Sequence, residues 1–287
     1  MSCYHRPVSI QETVALLARD DNLIVLAGGT DIYPARTART AWGQRNTAGI
    51  VDISGLGELR GVEDRCDHWW IGALTTWSDL IGAPLPPIFD ALKAAAREIG
   101  GVQIQNRGTL VGNCCTASPA GDGIPCLLTL DAEFEVAGGV VFRVPAAQFF
   151  TGYRRTALDR SELVSGIRIP KQRGFSAFHK LGARAYLVIS IAMVAGVVQT
   201  DAKGHVTRAR FAVGACAATA QRLPALEQAL IGKPLDPATA IAAHFDHLMP
   251  IDDIRASATY RRHAALAVTR DVIVDLARQL QAETHNV

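Results

Sequence analysis

The stretch Leu23-Ile24-Val25-Leu26-Ala27-Gly28-Gly29-Thr30-Asp31 constrains the fold of this chain more than any other. A short apolar run stops at two glycines, and a hydroxyl and a carboxylate follow. That order predicts a buried strand that delivers its C-terminal end into a tight corner. Paired glycines let the backbone turn through positive φ and leave no Cβ between the main chain and a ligand. Thr30 or Asp31 can cap a helix after the corner, so unpaired amides converge there, as a phosphate requires. A plain strand–turn–helix corner fits the same residues, and this stretch alone does not choose between the two.

The surrounding sequence extends the corner into a small α/β unit. Ser9-Ile10-Gln11-Glu12 has capping-box spacing, and the apolar residues after it predict a helix to about residue 20. A second short strand is expected over residues 49–53, so residues from about 8 to 55 form one unit. The pattern then changes. A hairpin is expected from 59–62 and 69–72, with Glu63-Asp64-Arg65 between its strands. Thr75-Thr76 precede a short helix over 77–81. Residues 88–99 have helical period, and Gly100-Gly101 stop them. Another hairpin follows over 132–136 and 140–144, then a strand over 163–169. Lys171-Gln172-Arg173-Gly174 reads as a boundary. Beyond it come three strands (175–181, 189–198, 206–213) and then helices over 223–231, 237–248 and about 256–281.

A second unusual stretch, Gln103-Ile104-Gln105-Asn106-Arg107-Gly108-Thr109-Leu110-Val111-Gly112-Asn113, continues through Cys114-Cys115-Thr116-Ala117-Ser118-Pro119-Ala120-Gly121-Asp122 to Pro125. It is rich in small and amide residues and has no clear period, so it is expected as a long loop. Long loops within compact domains are usually functional, although an elaborate structural loop also fits. Several chemistries are absent from the sequence. There is no G-x-G-x-x-G after a strand, no Walker A sequence, no H-E-x-x-H and no G-x-S-x-G. The six cysteines lack zinc or iron–sulfur spacing and are expected as free thiols, and the eight histidines are scattered. No metal site and no acid–base catalytic set is expected. With 29 basic against 27 acidic residues, nothing marks nucleic acid or an anionic membrane as the main partner. The N-terminus lacks a signal-peptide core, and the longest apolar run, near 187–198, is too short to span a bilayer. A soluble cytoplasmic protein is expected. Backbone-rich loops with few acid–base groups point to a cofactor binder whose chemistry belongs to the cofactor.

Ala27-Gly28-Gly29-Thr30-Asp31, Asn106-Arg107-Gly108-Thr109-Leu110-Val111-Gly112-Asn113 and Ala117-Ser118-Pro119-Ala120-Gly121-Asp122, taken together in this order, resemble the FAD-binding medium subunit of the molybdenum hydroxylases. That family includes the flavoprotein subunits of carbon monoxide dehydrogenase and bacterial xanthine dehydrogenase, and the resemblance covers essentially the whole chain. It implies an α+β fold: an FAD-binding domain of the vanillyl-alcohol-oxidase (PCMH) type over 1–172, with α/β subdomains of about 1–55 and 56–172. A C-terminal domain over 175–287 follows, with a three-stranded antiparallel sheet plus helices.

The resemblance also implies roles for individual residues. The backbone of Ala27, Gly28, Gly29, Thr30 and Asp31 would wrap the FAD pyrophosphate. Thr109, Leu110, Val111, Gly112 and Asn113 would add contacts to pyrophosphate and flavin. Ile99 and Gly100 would line the pocket, Asp122 would hold the ribose side, Val164 would touch the adenine end, and Lys180 would close over the cofactor. Lys180 could favour a reduced, anionic flavin; a solvated surface lysine is the alternative. Tyr186 and the residues after it are candidates to cover the flavin face. The family usually has Gly-Gly-Asn where this chain has Val111-Gly112-Asn113, which a β-branched residue tolerates at negative φ. The implied partners are a molybdopterin-binding large subunit, a 2Fe-2S small subunit and NAD or another electron acceptor, in a dimer of heterotrimers. Two alternatives stay open: a self-standing FAD-dependent oxidoreductase of the same fold, and a non-catalytic scaffold that has lost FAD.

Overall fold

A computed structural model describes residues 3–45 and 47–285. The N-terminal unit is a parallel sheet of β1 (Tyr4–His5), β2 (Leu23–Leu26) and β3 (Gly49–Asp52), with β3 in the centre. Helix α1 (Ile10–Arg19) joins β1 to β2, and α2 (Ile32–Ala41) joins β2 to β3. Ser9 caps α1 as expected, but the returning bond that would complete a capping box goes to the residue before the cap. Ser9 Oγ accepts from the Glu12 amide at 3.1 Å, and the Glu12 carboxylate accepts from the Val8 amide at 2.8 Å.

The second unit is a five-stranded antiparallel sheet. Its strands are β4 (Val62–Asp64), β5 (His68–Gly72), β6 (Glu133–Ala137), β7 (Val141–Pro145) and, after two short strands β8 (Phe150–Gly152) and β9 (Arg155–Thr156), β10 (Leu163–Pro170). Spatial order is β4-β5-β10-β6-β7, so the last strand in sequence lies at the centre. The first hairpin differs from expectation: Glu63 and Asp64 belong to β4, and Leu59 ends a 3-10 turn. Between β5 and β6 run α3 (Trp77–Gly82), α4 (Asp90–Glu98), α5 (Val102–Gln105), α6 (Leu110–Thr116) and α7 (Gly123–Thr129). The stretch expected as one long loop is therefore largely helical. Its helices span four, seven and seven residues, too short to display a 3.6-residue apolar repeat. Helix α8 (Ala146–Phe149) leads into β8.

The C-terminal unit is a four-stranded antiparallel sheet, β11 (Phe175–Leu181), β12 (Ala192–Thr200), β13 (Val206–Gly214) and β14 (Gln221–Arg222). The expected three strands gain a fourth of only two residues, too short for periodicity to reveal. Helices α9 (Pro224–Leu230) and α10 (Ala258–His285) follow. The expected helix over 237–248 is instead two 3-10 turns, Pro237–Thr239 and Ala242–Phe245.

Strand β12 is buried on both faces, which its unbroken apolar sequence requires. Met193, Ala195 and Val197 join the core of the first two units, whereas Ala192, Val194 and Val198 join a second core under α9 and α10. The C-terminal sheet thus completes the core of the first two units. Polar ties cross the same seam. Buried Ser176 accepts from the Ala91 amide at 2.9 Å, and Asp131 pairs with Arg208, Arg210 and Arg222 at 2.9, 2.7 and 3.4 Å. Among the described residues no helix is long and apolar enough to cross a membrane.

Candidate functional site

The C-terminal ends of β2 and β3 open into a cavity of about 530 Å³, within the usual range for a cofactor or ligand site. Its first wall is the glycine corner. Ala27, Gly28, Gly29, Thr30 and Asp31 all line it, and Gly29 adopts φ +77°. The amides of Gly28, Gly29, Thr30 and Asp31 have no acceptor among the described residues. Neither Thr30 nor Asp31 caps α2 through its side chain, contrary to expectation. Asp31 Oδ2 instead accepts from Thr116 Oγ1 at 3.2 Å and Arg154 Nη2 at 3.1 Å, which ties the first wall to the end of α6.

The second wall is the segment from Ile99 to Gly121. Thr109 caps α6, its hydroxyl accepting from the Gly112 amide at 3.0 Å. The Leu110 amide donates to the Thr75 carbonyl, so within α6's first turn the Val111 amide is the one left without a partner among the described residues. Val111 sits in the helix with ordinary negative φ and is nearly buried, so its departure from glycine imposes no backbone strain. Asn113 lines the cavity, and its Oδ1 is buried without any hydrogen-bond partner. Gly28 and Arg107 bring the two walls into contact: a Cβ at Gly28 would lie 1.9 Å from the Arg107 carbonyl oxygen. Behind the second wall Trp77 is 2% exposed, and its amide donates to Gly108 O at 3.1 Å.

Of the expected site residues, the structure gathers Ala27, Gly28, Gly29, Thr30, Asp31, Ile99, Thr109, Val111, Gly112, Asn113 and Val164 around this cavity. Four lie elsewhere. Gly100, with φ +57°, is the left-handed turn that ends α4, and Leu110 points into the core. Asp122 and Lys180 face each other as a buried ion pair, Nζ to Oδ2 at 2.8 Å, with side chains 7% and 6% exposed. Lys180 also donates to the carbonyls of Val188 at 3.1 Å and Glu98 at 3.4 Å, and Ser190 Oγ donates to Asp122 Oδ1 at 2.6 Å. Burial raises the pKa of Asp122, against the opposing pull of Lys180 and Ser190. Lys180 is thus no solvated surface lysine, and its charge is already matched within the protein.

This pair fastens the β11–β12 connection, residues 182–191, to the cofactor domain beside the cavity. Tyr186 and Leu187 on that connection approach Gly101 and do not line the cavity wall. The connection is anchored at its other end as well. Buried Arg261 donates to the carbonyls of Ile191 at 2.6 Å and Ala215 at 3.0 Å, and pairs with Asp253 at 2.7 Å.

The sequence reading missed several wall residues: Trp77, Ile53, Ile104, Leu158 and Leu163. Ile104 lay inside the stretch already singled out, and Trp77 directly follows a capping threonine. Leu158 and Ile53 carry no local signal, because only the tertiary fold brings them there. The residues present suit FAD. Apolar lining residues such as Ile53, Trp77, Ile99 and Val164 can pack on flat rings. The free amides of the glycine corner suit phosphates, and the orphaned Asn113 Oδ1 needs a donor. Among the described residues no group of His, Cys, Asp and Glu could hold a metal ion, and the cysteines are unpaired.

Comparison with known proteins agrees with this geometry. Residues 1–172 match the family model of the FAD binding domain in molybdopterin dehydrogenase, and residues 176–276 match the carbon monoxide dehydrogenase flavoprotein C-terminal domain. The chain is 31% identical to the nicotinate dehydrogenase FAD-subunit of Eubacterium barkeri, over 97% of each chain. It is 32% identical to the xanthine dehydrogenase FAD-binding subunit of Escherichia coli O157:H7, over 94% of each. Among solved structures it resembles carbon monoxide dehydrogenase from Hydrogenophaga pseudoflava lacking the Mo-pyranopterin moiety, with TM-score 0.87, 30% identity and 97% of each chain covered.

Proposed function

Because the chain belongs to the family of FAD-binding molybdopterin dehydrogenase flavoproteins, and is an FAD-binding medium subunit of the molybdenum hydroxylase type, we propose that it serves as the electron-transfer component of a heterotrimeric enzyme. Its partners are a molybdopterin-binding large subunit, where the organic substrate is oxidised, and a 2Fe-2S small subunit. FAD, when bound, accepts electrons from the iron–sulfur clusters and passes them to NAD or another acceptor.

The observation that carries this reading is the cavity between the two glycine-bearing walls, with its free amides and its unpartnered Asn113 oxygen. In it, the amides of residues 28–31 hold the pyrophosphate and the Val111 amide adds to them. Asn113 Oδ1 accepts from the cofactor, and Ile99 and Val164 pack on its ring systems. The Asp122–Lys180 pair acts one step back and fixes the 182–191 connection beside the pocket. The side chains on the cavity wall that can titrate, Asp31, Cys115 and Glu162, do not form a nucleophile–base set, so substrate chemistry is assigned to another chain. The border between the two domains is placed at residues 173–174 and the protein in the cytoplasm, with two heterotrimers per assembly.

Purification of the native complex tests the reading. The expected result is one FAD per copy of this chain, flavin reduction when substrate is added to the whole complex, and no organic turnover by this chain alone. A colourless chain that takes up no FAD refutes it, as does substrate turnover by the isolated chain.

A further inference from the structure

Among the described residues, α2 is the only helix of ten residues or more without a buried side chain. Helices of this length are marginal in water, and most of their stability comes from packing an apolar face. A large apolar group nevertheless stands in solvent on α2: Trp42, which closes the helix, is 84% exposed. Ala35, Ala38 and Trp42 follow at helical spacing, with Arg39 beside them, and all four are exposed. Small residues next to an aromatic anchor make a flat surface with one knob.

The charge on this segment has a single sign. Residues 32–51 include Arg36, Arg39 and Arg45 and no aspartate or glutamate, in a chain whose net charge is only +2. Arg36 reaches the Ala48 carbonyl at 3.1 Å, whereas Arg39 and Arg45 face solvent. The helix grows directly out of the glycine corner, and Ile32 still lines the cavity. Anything seated on α2 therefore lies within about 15 Å of the cofactor site, the length of ten helical residues.

We propose that α2 and Trp42 form the docking face for the electron-donating subunit, which would present an acidic surface with an apolar slot for the indole. This rests on the function proposed above and adds the surface through which it operates. The single-sign charge selects an acidic protein face over a second copy of this chain, whose own α2 would bring arginine against arginine.

The test measures association of the full-length, FAD-loaded chain with the 2Fe-2S subunit of its own complex, at low and high salt. Four proteins are compared: wild type, Arg39→Glu with Arg45→Glu, Trp42→Ala, and Lys203→Glu on the distant β12–β13 turn. FAD content and circular dichroism of each variant establish that it is folded. The arginine reversals are expected to weaken association by roughly tenfold or more at low salt, with the difference shrinking as salt screens it. Trp42→Ala is expected to cost roughly tenfold at either salt, as a buried aromatic anchor does, and Lys203→Glu to change nothing. Folded variants that bind like wild type overturn the α2 assignment and leave the proposed function standing. Loss of self-association with unchanged binding to the 2Fe-2S subunit also overturns it, in favour of a second copy. A wild-type chain that holds FAD but binds no 2Fe-2S subunit overturns both.

Discussion

Gly28→Ala tests the joint between the two walls of the cavity. Gly28 does not adopt positive φ, so alanine is conformationally permitted and the effect is steric. The added methyl would lie 1.9 Å from the Arg107 carbonyl oxygen, 2.7 Å from its carbon and 3.0 Å from Gly108 Cα, where ordinary contact begins at 3.4 Å. The walls must therefore part by about 1.5 Å. All three atoms are backbone, and their segment is held by hydrogen bonds from Gly108 and Arg107 to Ile104 O and from Trp77 to Gly108 O. Moving either wall shifts the amides of residues 28–31 relative to Val111 and Asn113. Loss of two hydrogen bonds to a charged phosphate, at about 1.5 kcal/mol each, weakens FAD binding on the order of 100-fold. Overpacking costs a further 1–3 kcal/mol or so of stability. The assay is fluorescence titration of FAD into flavin-stripped protein, alongside urea unfolding. Gly57→Ala is the control, since a Cβ there meets nothing within 4 Å. Gly28→Ala with FAD affinity within threefold of wild type and unchanged stability would refute the clamp geometry.

Lys180→Met strands the Asp122 carboxylate in the interior and should cost about 3–5 kcal/mol in urea unfolding. Adding Asp122→Asn should recover most of that, and a double variant no better than the single would show that the two groups are not coupled. Asp253 is held down to about 2: burial pushes its carboxyl up, but the Arg255 and Ala256 amides and the Arg261 guanidinium outweigh it. With an unfolded value near 3.9, its contribution is complete above about pH 4 and is lost as pH falls toward 2. Asp253→Asn should therefore be less stable at pH 7 and show a shallower acid limb, and identical acid limbs would disprove the assignment. Val111→Gly should lower stability by roughly 2 kcal/mol, chiefly through the lost burial of its side chain, with a few tenths more from helix propensity, because Val111 is helical, buried and unstrained. A more stable Val111→Gly protein in thermal melts would mean that valine is strained there after all.

The two walls were readable in the sequence because glycine, threonine and asparagine mark corners and loops by local chemistry. Gly28-Gly29 announce themselves after an apolar run, whereas Thr109, which caps α6, reads in the sequence only as part of a long loop. The partners of Asp122 and Lys180 were not readable, since 58 residues separate the two and only the seam between sheets joins them. The ribose role expected of Asp122 and the closing role expected of Lys180 rested on resemblance, whereas the geometry gives each of them the other. Helices α5 and α6 escaped notice because helices of four and seven residues hold barely two turns of pattern. Arg261 and Asp253 left a trace in the run Asp252-Asp253-Ile254-Arg255-Ala256-Ser257, a turn-rich segment before a long helix. That run shows where a turn lies, but not that a buried arginine behind it holds the strand joints at Ile191 and Ala215.

The central position of β10 in its sheet has a consequence for synthesis. Strands β5 and β6 both pair with it, yet it is the last of the five to be translated. Until residue 170 clears the ribosome, those two strands have nothing between them and present bare edges. Leu163 and Val164, at the start of β10, also complete the cavity wall. At about 5–20 residues per second, nearly a hundred residues pass between the emergence of β5 and that of β10, an interval of roughly five to twenty seconds. Nascent chains stalled within it would expose aggregation-prone edges and have no finished site for a cofactor. Flavin can bind only after the last strand of the sheet has been made and seated.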